Sequence, residues 1–220
     1  MNPIPATKRP EAPPATAGMV AFIGVGPGDE GLLTLRAAEL LAQADLVVGR
    51  PELTGQLGHR LPERAVIAEP ADPGTDTGKL IEAASAGRLA VRLYAGDQLL
   101  FSRASEQADA CARARVRVEI VPGVSAATGV PGFAGIPLTT DTGGLRVVHA
   151  SDLSGLDEPT PGSLVVLGAE AGPVDIAKML VAPAGRIPPR SPSPGTGPPP
   201  ISTRWSAGWA RSRPTSRRPG

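Results

Sequence analysis

Three glycine-rich turns hold the residues of this chain whose types and spacing could do chemistry. The first is Gly24-Val25-Gly26-Pro27-Gly28-Asp29, at the end of an apolar run. It has only part of the glycine spacing of a dinucleotide fingerprint, because Asp29 stands at the third glycine position. Pro27 has no N–H to offer a phosphate, and a carboxylate at Asp29 repels one. Such a turn suits a neutral or cationic ligand. The second turn, Tyr94-Ala95-Gly96-Asp97, also follows an apolar run. Gly96 permits positive φ or close backbone approach, and Asp97 can accept hydrogen bonds from hydroxyls or amines. The third is Pro122-Gly123-Val124-Ser125-Ala126-Ala127, continued by the small-residue stretch from Pro131 to Thr139. Taken singly, each turn is an ordinary strand-to-helix connection, and the third is equally a tight helix crossing. Together, in this order, they point to one binding site.

The elements that must position these turns alternate. Apolar runs at Met19–Gly26, Leu46–Val48, Ala65–Ile67, Leu89–Tyr94 and Val116–Val121 read as strands. Between them, Leu32–Ala44, Lys79–Ala86 (with Gly87 as its C-cap) and Ser105–Arg113 read as helices, and a short helix follows Gly123. Strands and helices alternating at these lengths predict an α/β fold with a mainly parallel sheet. In such sheets ligands bind at the carboxyl ends of the strands, which is where all three turns fall. Beyond Thr139, strands at Leu145–His149 and Ser163–Leu167 and a helix at Val174–Val181 predict the start of a second α/β domain.

Composition narrows the classes. Of 220 residues, 41% are hydrophobic but only 3% aromatic, so the core must be built from Leu, Val, Ile and Ala. The net charge of +1 singles out no acidic partner. One cysteine, Cys111, and two histidines, His59 and His149, exclude a disulfide framework and argue against a Cys/His metal cluster. No apolar run reaches membrane-spanning length, and the Pro/Ala-rich residues 1–17 lack the apolar centre of a signal peptide. These features predict a cytoplasmic protein with a disordered leader over residues 1–17, no metal, and neither a membrane nor a nucleic acid as partner.

The segments VAFIGVGPGDEGLLTLRAAELLAQADLVV, AVRLYAGDQLLFSRASEQADA and VEIVPGVSAATGVPGFAGIPLT resemble the tetrapyrrole methylases, and within them the uroporphyrinogen-III C-methyltransferases. The likeness runs from Met19 to about Val181. It implies two α/β domains, over residues 18–138 and 139–185, with S-adenosyl-L-methionine in the cleft between them, in a homodimer. By the same resemblance Pro27, Gly96, Asp97, Ser125 and Ala126 line the cofactor site, with Leu99, Leu100 and Leu167 as apolar contacts. Arg50 and Arg103 are the candidates for pairing with substrate carboxylates; the alternative for either is a solvated surface arginine. No catalytic base is assigned. The implied activity is C-methylation of a uroporphyrinogen-III-like macrocycle in sirohaem or cobalamin synthesis. The alternatives are a catalytically silent cofactor-binding or scaffold remnant of a methylase–synthase fusion, and a precorrin methyltransferase.

Three positions depart from the family's pattern. Gln98 stands where the second turn usually has proline, and Val48-Gly49-Arg50-Pro51 stands where the uroporphyrinogen enzymes carry an acidic residue thought to act as base. Leu167 aligns with a methionine often found beside the cofactor. These substitutions resemble the divergent methylase halves fused to uroporphyrinogen-III synthase. From Pro183 the composition turns to Pro, Ser, Gly and Arg, which supports no packed core, so the second domain reads as truncated and residues 186–220 as a disordered tail. As a basic tail it could bind phosphates, but its aromatics are only Trp205 and Trp209. The favoured reading is a single frameshift near Pro183–Ile187. Back-translated with GC-rich codons and shifted, residues 187–208 can read TPAVAVTRDGTTTDQHTVVG, which resembles the family's next strand and loop. We expect the gene's DNA to encode that continuation in another frame; its absence from every frame would refute the lesion.

Overall fold

In a computed structural model, the structure describes residues 18–139, 143–155 and 162–168. The chain divides into two compact units, one up to Ala126 and one from Ala127 onward. The first unit is built on strands β1 (Met19–Gly24), β2 (Leu46–Val48), β3 (Val66–Ala68), β4 (Leu89–Tyr94) and β5 (Arg117–Val121). They form one sheet in the order β3-β2-β4-β1-β5, and every pairing is parallel. The intervening helices are α1 (Leu35–Leu41), α2 (Pro51–Leu57), α3 (Pro73–Ser85) and α4 (Ala104–Arg113).

All six residues of β1 are buried, which is why this strand reads as an unbroken apolar run rather than an alternation. Its side chains divide between two layers. Met19, Ala21 and Ile23 pack with Ala37, Leu40 and Leu41 of α1 and Leu57 of α2. Val20 and Phe22 pack with Leu80, Ala83 and Ala84 of α3 and Ala104, Ala108 and Cys111 of α4. With helices on both faces, the sheet leaves only its strand ends open to a ligand.

Local chemistry sets the helix ends. Thr34 caps α1 by accepting the N–H of Ala37, and Asp72 caps α3 by accepting those of Gly74 and Thr75, with Pro73 in the first helical position. At the other end of α3, Gly87 has φ +78°, Gly87 N–H bonds to Ala84 O at 3.0 Å and Arg88 N–H to Ala83 O at 3.1 Å. That is a Schellman stop, and it turns the chain directly into β4. Asp45 starts β2: its carboxylate accepts the N–H of Leu89 at 2.9 Å while its backbone N–H bonds to Leu89 O at 2.9 Å.

The elements differ from the sequence-based expectation mainly at their starts. The helix expected from Leu32 begins at Leu35, after a 3-10 turn at Glu30–Leu32, because Thr34 is the cap. The helix expected from Lys79 begins six residues earlier, at Pro73, where Gly, Asp and Thr dilute the apolar period. Helix α2, opened by Pro51, was not anticipated. In the second unit, β6 (Gly144–His149) and β7 (Gly162–Leu167) pair in parallel, with a 3-10 stretch at Ala150–Gly155 between them. Helix α5 (Ala126–Phe133) is the short helix expected after Gly123. The leader, the tail from 186 and the helix expected at Val174–Val181 lie outside the described residues.

Two predictions follow from this packing. Leu41 is fully buried, so Leu41→Ala should cost about 2–5 kcal/mol, read as a lower urea midpoint at unchanged slope. Arg36 of α1 grips Glu119 of β5 with two bonds, at 2.6 and 2.8 Å, which holds that carboxyl below the ordinary carboxylate range. A carboxyl depressed in the folded state stabilises at neutral pH and loses that contribution as pH falls through its folded value. Glu119→Gln should therefore flatten part of the acid-side loss of stability in pH-dependent urea melts.

Candidate functional site

At the carboxyl ends of β1, β4 and β5 the three turns meet backbone to backbone. Gly26 and Gly96 form an antiparallel bridge, Gly26 N–H to Gly96 O at 3.1 Å and Gly96 N–H to Gly26 O at 2.8 Å. Val25 N–H bonds to Tyr94 O at 2.9 Å, so the first and second turns are laced by three bonds. Asp97 then joins the second turn to the third. One carboxylate oxygen accepts Leu99 N–H at 2.8 Å and the other accepts Gly123 N–H at 3.2 Å. Thr34, while capping α1, donates to the Pro122 carbonyl at 3.5 Å and ties that helix to the third turn.

This closeness depends on missing side chains. A Cβ on Gly24 would lie 2.6 Å from Gly96 O and 2.7 Å from Gly123 N. One on Gly123 would collide with Gly96 O and lie 2.6 Å from Gly24 O. Gly26 and Gly96 also sit at φ +81° and +65°, in the left-handed region that glycine enters freely. Gly28, at φ +126°, offers its carbonyl to the Gln56 side-chain amide of α2, and Asp29 caps the 3-10 turn through Gly31 N–H at 2.7 Å.

Five backbone donors at this junction are spent on its own acceptors. The N–H groups of Val25, Gly26, Gly96, Leu99 and Gly123 all bond internally. Beside these occupied donors stand the carbonyl oxygens of Gly26 and Gly96 and the Asp97 carboxylate. A phosphate nest needs free N–H groups, and the occupation of these five favours a cationic or hydrogen-bond-donating ligand. Gln98, in the same turn, is fully buried with both amide atoms lacking a partner among the described residues.

Of the residues singled out from sequence, Gly96, Asp97 and Ala126 come together here, a Cβ on Gly96 lying 3.6 Å from Ala126 N. Pro27 stands between the two positive-φ glycines of the first turn, and Ser125 immediately precedes α5. Leu99 and Leu100 follow the second turn and are exposed. Leu167 ends β7 in the second unit. Arg50 is the exposed N-cap residue of α2, directly after the β2 turn. Arg103 opens α4, and its guanidinium is held by Glu106 at 2.7 Å. Asp97, expected to meet a ligand, has a second task as the brace between turns. Gly26, Gly123 and Gln98 went unassigned in the sequence; a Pro-Gly pair directly after a strand was the available signal for Gly123. Among the described residues no three His, Cys, Asp or Glu side chains are placed to hold a metal, and no helix is long and apolar enough to cross a membrane.

A parallel sheet carrying its glycine turns at the strand ends defines an α/β protein with a candidate ligand site at the carboxyl edge of its sheet. The chain belongs to the tetrapyrrole (corrin/porphyrin) methylases, whose family model matches residues 19–184. It is 39% identical over 137 residues to siroheme synthase 1 of Pectobacterium atrosepticum, which covers 59% of this chain and 28% of that protein. The chain thus spans less than a third of the length of the siroheme synthases it matches. Among solved structures, uroporphyrin III C-methyl transferase from Thermus thermophilus aligns with a TM-score of 0.61 at 32% identity, covering 75% of this chain and 76% of that one. The same enzyme complexed with S-adenyl homocysteine aligns with a TM-score of 0.60. A cobalt precorrin-4 methyltransferase aligns at 0.58 with 27% identity, covering 63% of this chain and 60% of that one.

The brace and the bare junction are both testable. Gly123→Ala should destabilise by about 3 kcal/mol, because backbone rather than a flexible side chain must move. Asp97→Asn leaves one backbone N–H facing an amide N–H and should cost about 1.5–3 kcal/mol. Denaturant melts of the two variants measure both.

Proposed function

We propose that this protein uses S-adenosyl-L-methionine to methylate a carbon of a uroporphyrinogen-III-like tetrapyrrole, in sirohaem or cobalamin synthesis. The observation that carries the reading is the acceptor-rich, side-chain-free junction of the three turns. Its carbonyls and the Asp97 carboxylate fit a cofactor that bears a sulfonium and an ammonium, and its spent N–H groups disfavour a nucleotide phosphate. The membership in the methylase family supports the same cofactor class. In this reading the junction, with Pro27, Ser125, Ala126, Leu99 and Leu100, holds the cofactor. The protein acts in the cytoplasm as a homodimer, with domains over residues 18–138 and 139–185.

Bound there, the cofactor supplies a methyl group already activated by the sulfonium. The chain's own work is alignment and exclusion of water. The stiff turns fix one partner, since a backbone laced by five internal bonds has little freedom to relax. Arg50 and Arg103 orient the other by pairing with its carboxylates, Arg103 held in place by Glu106. A second reading is supported by Arg50 standing where an acidic base is expected: a module that binds the cofactor without turnover.

Calorimetry with S-adenosylhomocysteine, followed by transfer of labelled methyl to uroporphyrinogen III, tests the proposal. Binding with transfer is the expected result. Binding without transfer to uroporphyrinogen or to a methylated precorrin leaves the silent module, and no binding defeats both readings. In the active case Arg50→Ala and Arg103→Ala should each raise the KM for the macrocycle about tenfold, the loss of one charge-assisted pair, with little change in cofactor affinity.

A further inference from the structure

Below the turns, on the face of the sheet that α3 and α4 cover, lies a polar cluster that the cofactor reading does not use. Tyr94 is the last residue of β4, and its phenol O–H donates to the Oε1 of Gln107 on α4. Gln107, almost fully buried, donates through Nε2 to Pro73 O at 3.1 Å and to Thr77 Oγ1 at 3.0 Å, both in the opening turns of α3. The Tyr94 ring packs against Phe22 at 6.4 Å between centroids, and the Arg92 guanidinium lies 5.1 Å over its face. Arg92 in turn donates to Val48 O at 3.2 Å and faces the buried Asp76 carboxylate at 3.5 Å. Burial pushes the phenol up to about 12, so it remains a donor at all physiological pH.

The same residue has its main chain in the ligand junction. Tyr94 O accepts Val25 N–H of the first turn, and two residues later the chain reaches Gly96 of the second. A shift of Tyr94 therefore displaces the first and second turns at once. The phenol locks this hinge point to α4 and, through Gln107, to α3. We propose that Tyr94 is a positioning residue for the cofactor, its bond to Gln107 holding the Gly24–Gly28 and Gly96–Asp97 turns at the spacing that binding requires. The inference rests on the cofactor reading given above.

Tyr94→Phe removes one oxygen and keeps the ring packing, so the variant folds. On the full chain, its Tm should fall by about 2–4 °C, the shift expected for one lost hydrogen bond in a chain of this size, and its Kd for S-adenosylhomocysteine should rise about tenfold. The double variant Tyr94→Phe/Gln107→Leu replaces both partners by apolar groups, which is close to neutral for stability; Pro73 O keeps the Thr77 hydroxyl as donor. Its Tm should return most of the way to wild type while its Kd stays weak. That separation is the signature of positioning. A merely structural bond predicts the opposite: affinity that recovers with Tm, or a Tyr94→Phe variant that binds as tightly as wild type, and either result overturns the proposal. Absence of binding by the wild-type chain overturns the cofactor reading itself and this inference with it.

Discussion

Gly24, Gly96 and Gly123 pack backbone against backbone at the ends of three neighbouring strands, and the rest of the ligand face depends on that contact. Without side chains between them, the first two turns come close enough to exchange hydrogen bonds as a small bridge of their own. The Asp97 carboxylate can then reach across to Gly123 N–H. Each bond made in this way removes a donor from the surface, so the junction's electrostatic character is a by-product of its packing. Close approach and preference for a cationic ligand are one property.

Two kinds of support hold the junction from below. On the α1/α2 face the contacts are apolar, with Ile23, Leu41, Leu57 and Leu93 excluded from water. On the α3/α4 face a polar layer of Arg92, Asp76, Tyr94, Gln107 and Thr77 lies directly under the strand ends. An apolar layer tolerates small slips of one surface over another, because dispersion is not directional. Bonded polar groups in a low-dielectric setting do not, since a slip leaves a buried group without a partner. The polar layer therefore lends the turns a precision that the apolar one cannot.

Much of this was legible in the sequence where a single physical rule dominates. The buried run of β1, the positive-φ glycines and the strand–helix alternation are local signals, and they gave the sheet and the turns. The start of α3 was hidden because Asp72, Pro73 and Gly74 mark it through capping chemistry while carrying no apolar period. Helix α2 is seven residues long, too short for periodicity to stand out, and Pro51 was its main sign. The brace made by Asp97 and the links of Tyr94 and Gln107 join residues distant in the chain. No spacing rule announces them, because they exist only once the sheet has assembled. The burial of Gln98 belongs to the same class, since residues distant in the chain enclose it.

The pairing order of the sheet has a kinetic side. Strand β1 is made before both of its neighbours, β4 and β5, whose registers pair Met19 with Leu89 and with Arg117. Neither edge of β1 can be covered until most of the first unit has left the ribosome, and closing such long loops is slow. During that interval the segment Met19–Ile23, wholly apolar and without a proline, has unpaired edges. Among the elements made before β4, α1 packs Ala37, Leu40 and Leu41 on a face of β1, a face that can be sheltered while those edges wait.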